Sequence, residues 1–236
     1  MVETLVDHAP PGPLAIAELG CGIGGALRHI LTALAGRTEV TGAVGIDVVE
    51  EHARLTDEIC AASSLGVPVT TVCAAAEDTG LPDGSFDAVF ASGSLSHFSD
   101  VAAVLHEAHR LLRPGGLLTF TEEVSLVPDP AALSDAFRAA HPGTVFHRAT
   151  ADERRAQLRA AGFVDVSVRH LGDWAVAILR MRWMSMRVNR EKLVEVYGAR
   201  QQAAVLDTIS ATLAEVRRGT VVPAQVTARR RPVDRG

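Results

Sequence analysis

Four glycines and an acid stand close together near the start of the chain, in the stretch AELGCGIGG. The acid is Glu18, and the glycines are Gly20, Gly22, Gly24 and Gly25. Glycine is required where the backbone turns with a positive φ or where a ligand presses against the main chain. The apolar run LAIAEL leads into this loop and a helical pattern follows it. The order of strand, loop and helix predicts a nucleotide-type crevice at the carboxyl end of the first strand.

Two classes of ligand are compatible with this loop. The spacing Gly-x-Gly-x-x-Gly fits a dinucleotide, whereas Gly-x-Gly-x-Gly after an acid fits S-adenosylmethionine. Glu18 favours the second ligand, because a dinucleotide loop receives an anionic pyrophosphate and S-adenosylmethionine carries a cationic ammonium and sulfonium. The alternative role for Glu18 is to cap amides of the loop. Asp47 ends the next strand pattern, where an acid can accept hydrogen bonds from ribose hydroxyls in either class or can be a plain turn residue.

The composition argues against several classes of protein. A net charge of −5 without a long basic run disfavours a nucleic-acid groove. No window of about 18 apolar residues could span a membrane, and the first residues do not have the pattern of a signal peptide. Three scattered cysteines indicate a reducing compartment, so we expect a cytoplasmic location. No Cys/His cluster has metal-ligand spacing, so we predict no metal site.

Strand-like and helix-like segments alternate along the chain, which predicts one α/β domain, 1–236, with a largely parallel sheet. The predicted strands are 14–19, 40–49, 67–76, 85–93, 117–123, 164–171 and 224–231. We expect the seventh strand at the end of the sheet. Residues 173–218 have a helical pattern throughout. Only about 13 residues precede the first strand.

Further stretches make the chain similar to one family. AELGCGIGG, GIDVVE, AEDTGLPDGSFDAVFASGSLSHFSD, LHEAHRLLRPGGLLTF and AAGFVDVSV follow in the order and spacing typical of class I S-adenosylmethionine-dependent methyltransferases. The chain resembles in particular the small-molecule group of bacterial natural-product pathways. The resemblance implies a Rossmann-like, doubly wound sheet of seven strands with the last strand antiparallel. It also implies a lid before the first strand, which in this chain is reduced, supplied by a partner chain or lost to a misplaced start.

The resemblance implies a set of cofactor contacts. These are Glu18, Gly20, Cys21, Gly22, Gly24, Asp47 on the ribose, and Val48. Relatives often carry an acid near the adenine where this chain has Ala75, so we assign the adenine edge to the backbone of Ala76 and the side chain of Glu77. Ser92 would lie beside the methionine end of the cofactor, or be a simple serine at the end of a strand.

Methyl transfer from a sulfonium is a direct displacement, so the protein mainly has to align the reactants and exclude water. A base helps when the acceptor is an alcohol, phenol or carbon acid, and histidine is the natural base near neutral pH. His97 follows the fourth strand and is our candidate catalytic base or substrate contact, with capping of the next helix as the alternative. His141 and His147 are candidate substrate contacts. Glu122 and Glu123 are expected to be solvated acids at the end of a strand, with a substrate contact by one of them as the alternative.

Within 173–218, an apolar surface broader than one helix face includes Trp174, Ile178 and Met181. We predict that this helical insertion caps an apolar acceptor site; core or dimer packing is the alternative, and the chain is a monomer or a homodimer. The predicted function is S-adenosylmethionine-dependent methylation of a small, fairly apolar metabolite on oxygen, carbon or nitrogen, in secondary metabolism. The rival functions are a cyclase or binding module on the same fold, and an NAD-dependent oxidoreductase.

Overall fold

A computed structural model describes residues 1–143 and 145–233 of the chain. Its strands are β1 Leu14–Leu19, β2 Val40–Asp47, β3 Val69–Cys73, β4 Phe86–Ser92, β5 Leu112–Ser125, β6 Phe163–His170 and β7 Val221–Arg230. They form one sheet of seven strands in the order β3-β2-β1-β4-β5-β7-β6. The first five strands are parallel, and β7 is antiparallel to both of its neighbours. The predicted sheet and its antiparallel last strand are confirmed.

The position predicted for the seventh strand was wrong. β7 lies between β5 and β6 and not at the end of the sheet. Most of its residues are buried, including neighbours that point to opposite faces. A strand that is buried on both faces belongs in the interior of a sheet, where both of its edges are hydrogen-bonded.

The helices are α1 Val2–His8, α2 Gly25–Leu34, α3 Glu50–Ala61, α4 Val101–Leu111, α5 Asp135–Ala140, α6 Ala151–Ala160, α7 Gly172–Val188, α8 Arg190–Tyr197 and α9 Ala199–Arg218. Two of them, α1 and α5, were not predicted. The segment 173–218 is helical as expected, but it divides into three helices. One break falls at Gly198, whose φ of 81° cannot continue a helix.

The sheet is covered on both faces, as a parallel sheet requires. On one face, Leu5 of α1 and Leu27 of α2 pack with Ile16 of β1 in one buried cluster. On the other, Val104 of α4 and Leu158 of α6 belong to a second cluster. The residues before β1 therefore form a helix whose Leu5 is wholly buried in the core. None of the helices in the described part of the chain has the length and hydropathy needed to cross a bilayer.

The carboxyl ends of the parallel strands meet at one edge of the sheet, where loops can build a site. α7 and α9 contact each other and β7 beside this edge. A hydrogen bond of 3.0 Å from Trp183 Nε1 to Ser210 Oγ joins the two helices. The long connection between β6 and β7 thus lies near the carboxyl ends of the strands, with α7 and α9 packed together there.

Candidate active site

Two adjoining cavities open at the carboxyl edge of the sheet. The first, which we call the loop cavity, has a volume of about 260 Å³. It is lined by Gly20, Ile46, Asp47, Val48, Ala74, Ala75, Ala76, Glu77, His97, Phe98 and Ser99. Two of these described residues are acids and none is Lys or Arg. The lining therefore suits a cationic or neutral ligand better than a polyphosphate.

The glycines of the loop are required by different contacts. Gly20 and Gly24 both have a φ of 70°. A Cβ on Gly20 would lie 2.7 Å from Ser94 Cβ, and one on Gly24 would lie 2.6 Å from Thr56 Cγ2. Gly22, with a φ of 54°, faces open space instead. Close packing against neighbouring side chains thus explains why glycine, which has no side chain, is required at two of these positions.

The amide groups of the loop are largely occupied by the protein itself. The N–H groups of Gly20 and Cys21 both donate to the Ile46 carbonyl, at 2.8 and 2.9 Å. The Gly22 N–H donates to Asp47 Oδ2 at 2.8 Å, and the Gly24 N–H donates to the Cys21 carbonyl at 2.9 Å. A phosphate-binding loop needs free N–H groups directed at the anion. These four amides are therefore not available to a pyrophosphate.

Asp47 lies in the wall of the loop cavity and also shapes the loop. Its Oδ2 accepts from Gly22, while its Oδ1 accepts from the Val49 N–H at 3.0 Å and lies 3.1 Å from His52 Nδ1. Each carboxylate oxygen has two lone pairs. Asp47 can therefore hold the loop and still accept a ribose hydroxyl on Oδ2.

The side chains of Glu18 and Cys21 are buried and line neither cavity. Glu18 is only 1% exposed, and its Oε2 has no hydrogen-bond partner among the described residues. Burial raises the pKa of the Glu18 carboxyl to about 8, against an opposing backbone hydrogen bond from Leu27. Burial also raises the pKa of the Cys21 thiol to about 12. An unpartnered acid with this pKa gains from a nearby cation, because a cation favours its ionised form.

The remaining predicted cofactor residues divide into two groups. Val48, Ala76 and Glu77 line the loop cavity, and the Val48 side chain is exposed there as an apolar surface. Ser92 is exposed at the end of β4 but is not part of either wall. Its neighbour Gly93 lines the second cavity instead.

The second cavity, which we call the cap cavity, has a volume of about 370 Å³. It is lined by Gly93, Ser96, His97, Thr121, Glu122, Glu123, His141, Phe146, Leu171, Trp174, Ile178, Leu179, Arg182, Thr208, Ile209, Thr212 and Pro223. Most of its apolar side chains come from α7 and α9. A cavity of this size with a few polar groups is typical of a site for a small organic molecule.

His97 belongs to the walls of both cavities. It ends the short 3₁₀ turn Leu95–His97, and its ring packs against Phe146 at a centroid distance of 4.7 Å. Partial burial lowers the pKa of the His97 imidazole. His97 is therefore a neutral imidazole near pH 7, able to take up a proton where the cavities meet.

The other two predicted histidines have different surroundings. His141 lines the cap cavity but is only 3% exposed. Its Nδ1 lies 3.1 Å from the Phe137 carbonyl, which can only accept, and its Nε2 lies 3.2 Å from Thr212 Oγ1. Both ring nitrogens are thus engaged, which fits a structural role. His147 lines neither cavity; its backbone N–H donates to the Ser96 carbonyl at 2.6 Å.

The expectation that Glu122 and Glu123 are solvated was wrong. Glu122 forms a bidentate ion pair with Arg154 at 2.8 and 2.7 Å, and both side chains are 1% exposed. Glu123 is partly buried in the wall of the cap cavity. The sequence pattern did not predict this burial, because the covering residues lie far along the chain, in α6, in the connection before it and in α7. The alternative, that one of the two acids contacts substrate, stays a prediction.

Of the three residues selected on the insertion, the structure brings two together. Trp174 and Ile178 line the cap cavity, whereas Met181 lies on the outer side of α7 and is 60% exposed. Several further lining residues were not predicted, among them Phe146, Thr208, Ile209 and Thr212. The spacing of the last three, i, i+1 and i+4, places them on one side of α9 and was the available signal.

Comparison with known proteins gives three consistent findings. Residues 17–120 match the family described as "Methyltransferase domain". The chain is 33% identical over 161 residues to the 27-O-demethylrifamycin SV methyltransferase of Amycolatopsis mediterranei (strain S699), covering 67% of this chain and 57% of that protein. It is 32% identical over 196 residues to the nocamycin O-methyltransferase of Saccharothrix syringae, covering 72% of this chain and 66% of that protein. The chain thus spans less than two thirds of the length of these curated relatives.

Solved structures share the fold at lower identity. The crystal structure of the cyclase SpnF superimposes with a TM-score of 0.74 and 23% identity, covering 98% of this chain and 80% of that one. At this identity the similarity concerns the fold alone.

Proposed function

The chain belongs to the class I S-adenosylmethionine-dependent methyltransferases, and from this premise we propose that it transfers a methyl group to a small, fairly apolar metabolite. The loop cavity holds the cofactor in this proposal, and the cap cavity holds the acceptor. The observation that carries the proposal is the shared wall at His97. A donor and an acceptor in adjoining cavities meet at the side chain best suited to remove a proton.

The residues present fit the cofactor. The acids of the loop cavity, the absence of Lys and Arg from its described lining, and the unpartnered Oε2 of Glu18 favour a cation. Asp47 would accept the ribose hydroxyls, Val48 and Ala76 would pack on the adenosine, and Glu77 would lie at its edge. When bound, S-adenosylmethionine supplies an electrophilic methyl group. The residues of this chain supply the remaining steps of catalysis.

Those residues orient the acceptor, exclude water and remove one proton from the acceptor. Correct orientation supplies about 7–11 kcal/mol in favourable cases. Neutral His97 takes a proton from an acceptor hydroxyl, amine or acidic carbon, a contribution of about 10²–10⁴ in rate. α7 and α9 cover the acceptor, and Trp174 lies at its rim.

The proposal also includes the type of metabolism, the cellular location and the oligomeric state. The curated relatives named above act on products of secondary metabolism, which supports such an acceptor. The three cysteines are unpaired, which supports a reducing, cytoplasmic location. We propose a monomer or a homodimer that acts on a small molecule and not on nucleic acid.

One rival function has an observation in its favour. The similarity in fold to a cyclase makes a cofactor-binding protein with other chemistry the second candidate. A dinucleotide-dependent oxidoreductase is disfavoured, because four amides of the loop are already hydrogen-bonded within the protein.

Two measurements test the proposal. Calorimetry should detect binding of S-adenosylhomocysteine and no comparable binding of NADH. Incubation with methyl-labelled S-adenosylmethionine and a panel of hydroxylated aromatic and polyketide-like acceptors should transfer label. Binding of NADH alone would overturn the cofactor assignment, whereas cofactor binding with a converted but unlabelled acceptor would establish the cyclase class.

A further inference from the structure

Glu122 and Glu123 are consecutive residues of β5, and both line the cap cavity. Both oxygens of Glu122 are occupied by the Arg154 guanidinium. Within residues 1–143 and 145–233, the Glu123 carboxylate has no hydrogen bond and no ion pair. Of the two adjacent acids, Glu123 is therefore the one whose oxygens have no partner among the described residues.

Two arginines from different elements face Glu123 without pairing with it. Arg148 lies in the connection before α6, and Arg182 lies on α7 in the wall of the same cavity. Burial raises the pKa of the Glu123 carboxyl, and the charges of Arg148 and Arg182 oppose that shift. Burial therefore outweighs the two cations in the pKa of Glu123, and neither guanidinium occupies its oxygens.

This arrangement restricts the charge of a molecule that can bind. A charged group placed on Glu123 would lose its hydration within a cavity whose exposed walls are largely apolar, and this costs free energy. A neutral hydroxyl group avoids that cost and can donate a hydrogen bond to the Glu123 carboxyl. The other walls are mostly apolar, with Phe146, Ile178 and Ile209 among them.

We propose that Glu123 binds a hydroxyl group of an uncharged, largely apolar acceptor, and so selects hydroxylated molecules over their ethers and over charged analogues. This inference rests on the function proposed above, which assigns the cap cavity to the methylated substrate. Glu123 is an acceptor-binding residue in this proposal, and His97 remains the candidate base.

Matched probes test this selectivity without knowledge of the natural acceptor. The chain has two tryptophans, so a Trp183→Phe background leaves Trp174, in the wall of the cap cavity, as the only reporter. Its fluorescence is titrated with para-propylphenol, para-propylanisole and para-propylbenzoate, with and without S-adenosylhomocysteine. Because an ordinary hydrogen bond is worth about 0.5–1.5 kcal/mol, we expect the phenol to bind roughly two- to tenfold more tightly than the anisole.

Two variants and one control assign the preference to a residue. Glu123→Leu should bind the phenol and the anisole equally. Glu123→Gln keeps a neutral acceptor oxygen and should show an intermediate preference, and it serves if the leucine variant does not fold. Glu195→Leu makes the same change on the exposed side of α8 and should retain the full preference.

Equal binding of phenol and anisole in the parent protein would overturn the inference, as would tighter binding of the benzoate or an unchanged preference in both Glu123 variants. The outcome for the proposed function is separate. If S-adenosylhomocysteine fails to bind while the phenol preference depends on Glu123, the methyltransferase proposal fails and the hydroxyl site stands. If S-adenosylhomocysteine binds but the preference is absent, only the hydroxyl site fails.

Discussion

Replacement of Glu18 by glutamine should change how the stability of the protein depends on pH. Glu18 is buried with an unpartnered Oε2, and its pKa is raised from about 4.5 to about 8. Each pKa unit corresponds to about 1.4 kcal/mol, so ionising this residue inside the folded protein costs on the order of 5 kcal/mol. Between these two pKa values the native protein holds a proton that the unfolded chain has released.

The sign of the effect follows from that proton. Because the native state binds more protons than the unfolded state, the free energy of unfolding falls as pH rises from about 4.5 to about 8. The contribution of Glu18 is fully present below this interval and lost above it. Glu18→Gln has no ionisable group, so its stability relative to the wild type should increase steadily across the interval.

Urea unfolding at several pH values between the two pKa values measures the effect. Glutamine carries an amide that also lacks a partner, which lowers stability by about 1–3 kcal/mol at every pH. The pH dependence of the difference between variant and wild type is therefore the informative quantity. Glu191→Gln, at an exposed position of α8, is the control and should leave the slope unchanged. Parallel curves for wild type and Glu18→Gln would refute a buried, uncharged Glu18.

Three other substitutions have defined outcomes. In Gly20→Ala the new Cβ would lie 2.7 Å from Ser94 Cβ at a φ of 70°, so the variant should bind S-adenosylhomocysteine about tenfold more weakly by calorimetry. The control is Gly36→Ala, whose position has a φ of 75° and open space around it. That variant carries only a backbone strain of about 1–2 kcal/mol and should bind the ligand normally. Arg154→Met leaves a buried carboxylate unpaired and should lower the free energy of urea unfolding by about 3–5 kcal/mol, against less than about 1 kcal/mol for Arg155→Met on the surface. His97→Gln should slow methyl transfer to a hydroxyl acceptor about 10²-fold or more. The wild-type rate should rise with pH and level off at a lower pH than an ordinary histidine would give, since the pKa of His97 is lowered.

Each of these expectations can be contradicted. Equal cofactor affinity in the two glycine variants would mean that packing against Ser94 does not shape the loop. Equal losses of unfolding free energy in the two arginine variants would mean that the buried ion pair stabilises the protein no more than the surface pair does. A normal rate in His97→Gln would leave orientation alone as the source of catalysis.

Much of the fold and the cofactor site could be predicted from local sequence. The loop at 18–25 lies within one strand–turn–helix unit, so its residue types and spacing carry its structure directly. Asp47 could be placed because the carboxyl ends of adjacent parallel strands meet at one edge. The periodicity of 173–218 predicted helices, although it did not locate the break at Gly198.

The residues around the cap cavity could not be predicted in the same way. Glu122 and Glu123 are consecutive in sequence, yet one pairs with Arg154 and the other stays free beside residues of α7 and α9. His141 and His97 are the same residue type, yet Thr212 and Phe137 occupy the ring nitrogens of His141 while His97 joins the two cavities.

The sequence by itself determined the seven strands and the glycine loop, because these depend on hydrophobic periodicity and on backbone conformations that few residues can adopt. The class of cofactor followed from Glu18 and from the resemblance to a family. Only the tertiary structure decided which acid is free, which histidine is available and which side of α7 faces the cavity. Charge, protonation and access depend on groups that approach through space from distant parts of the chain, and no local pattern encodes that approach.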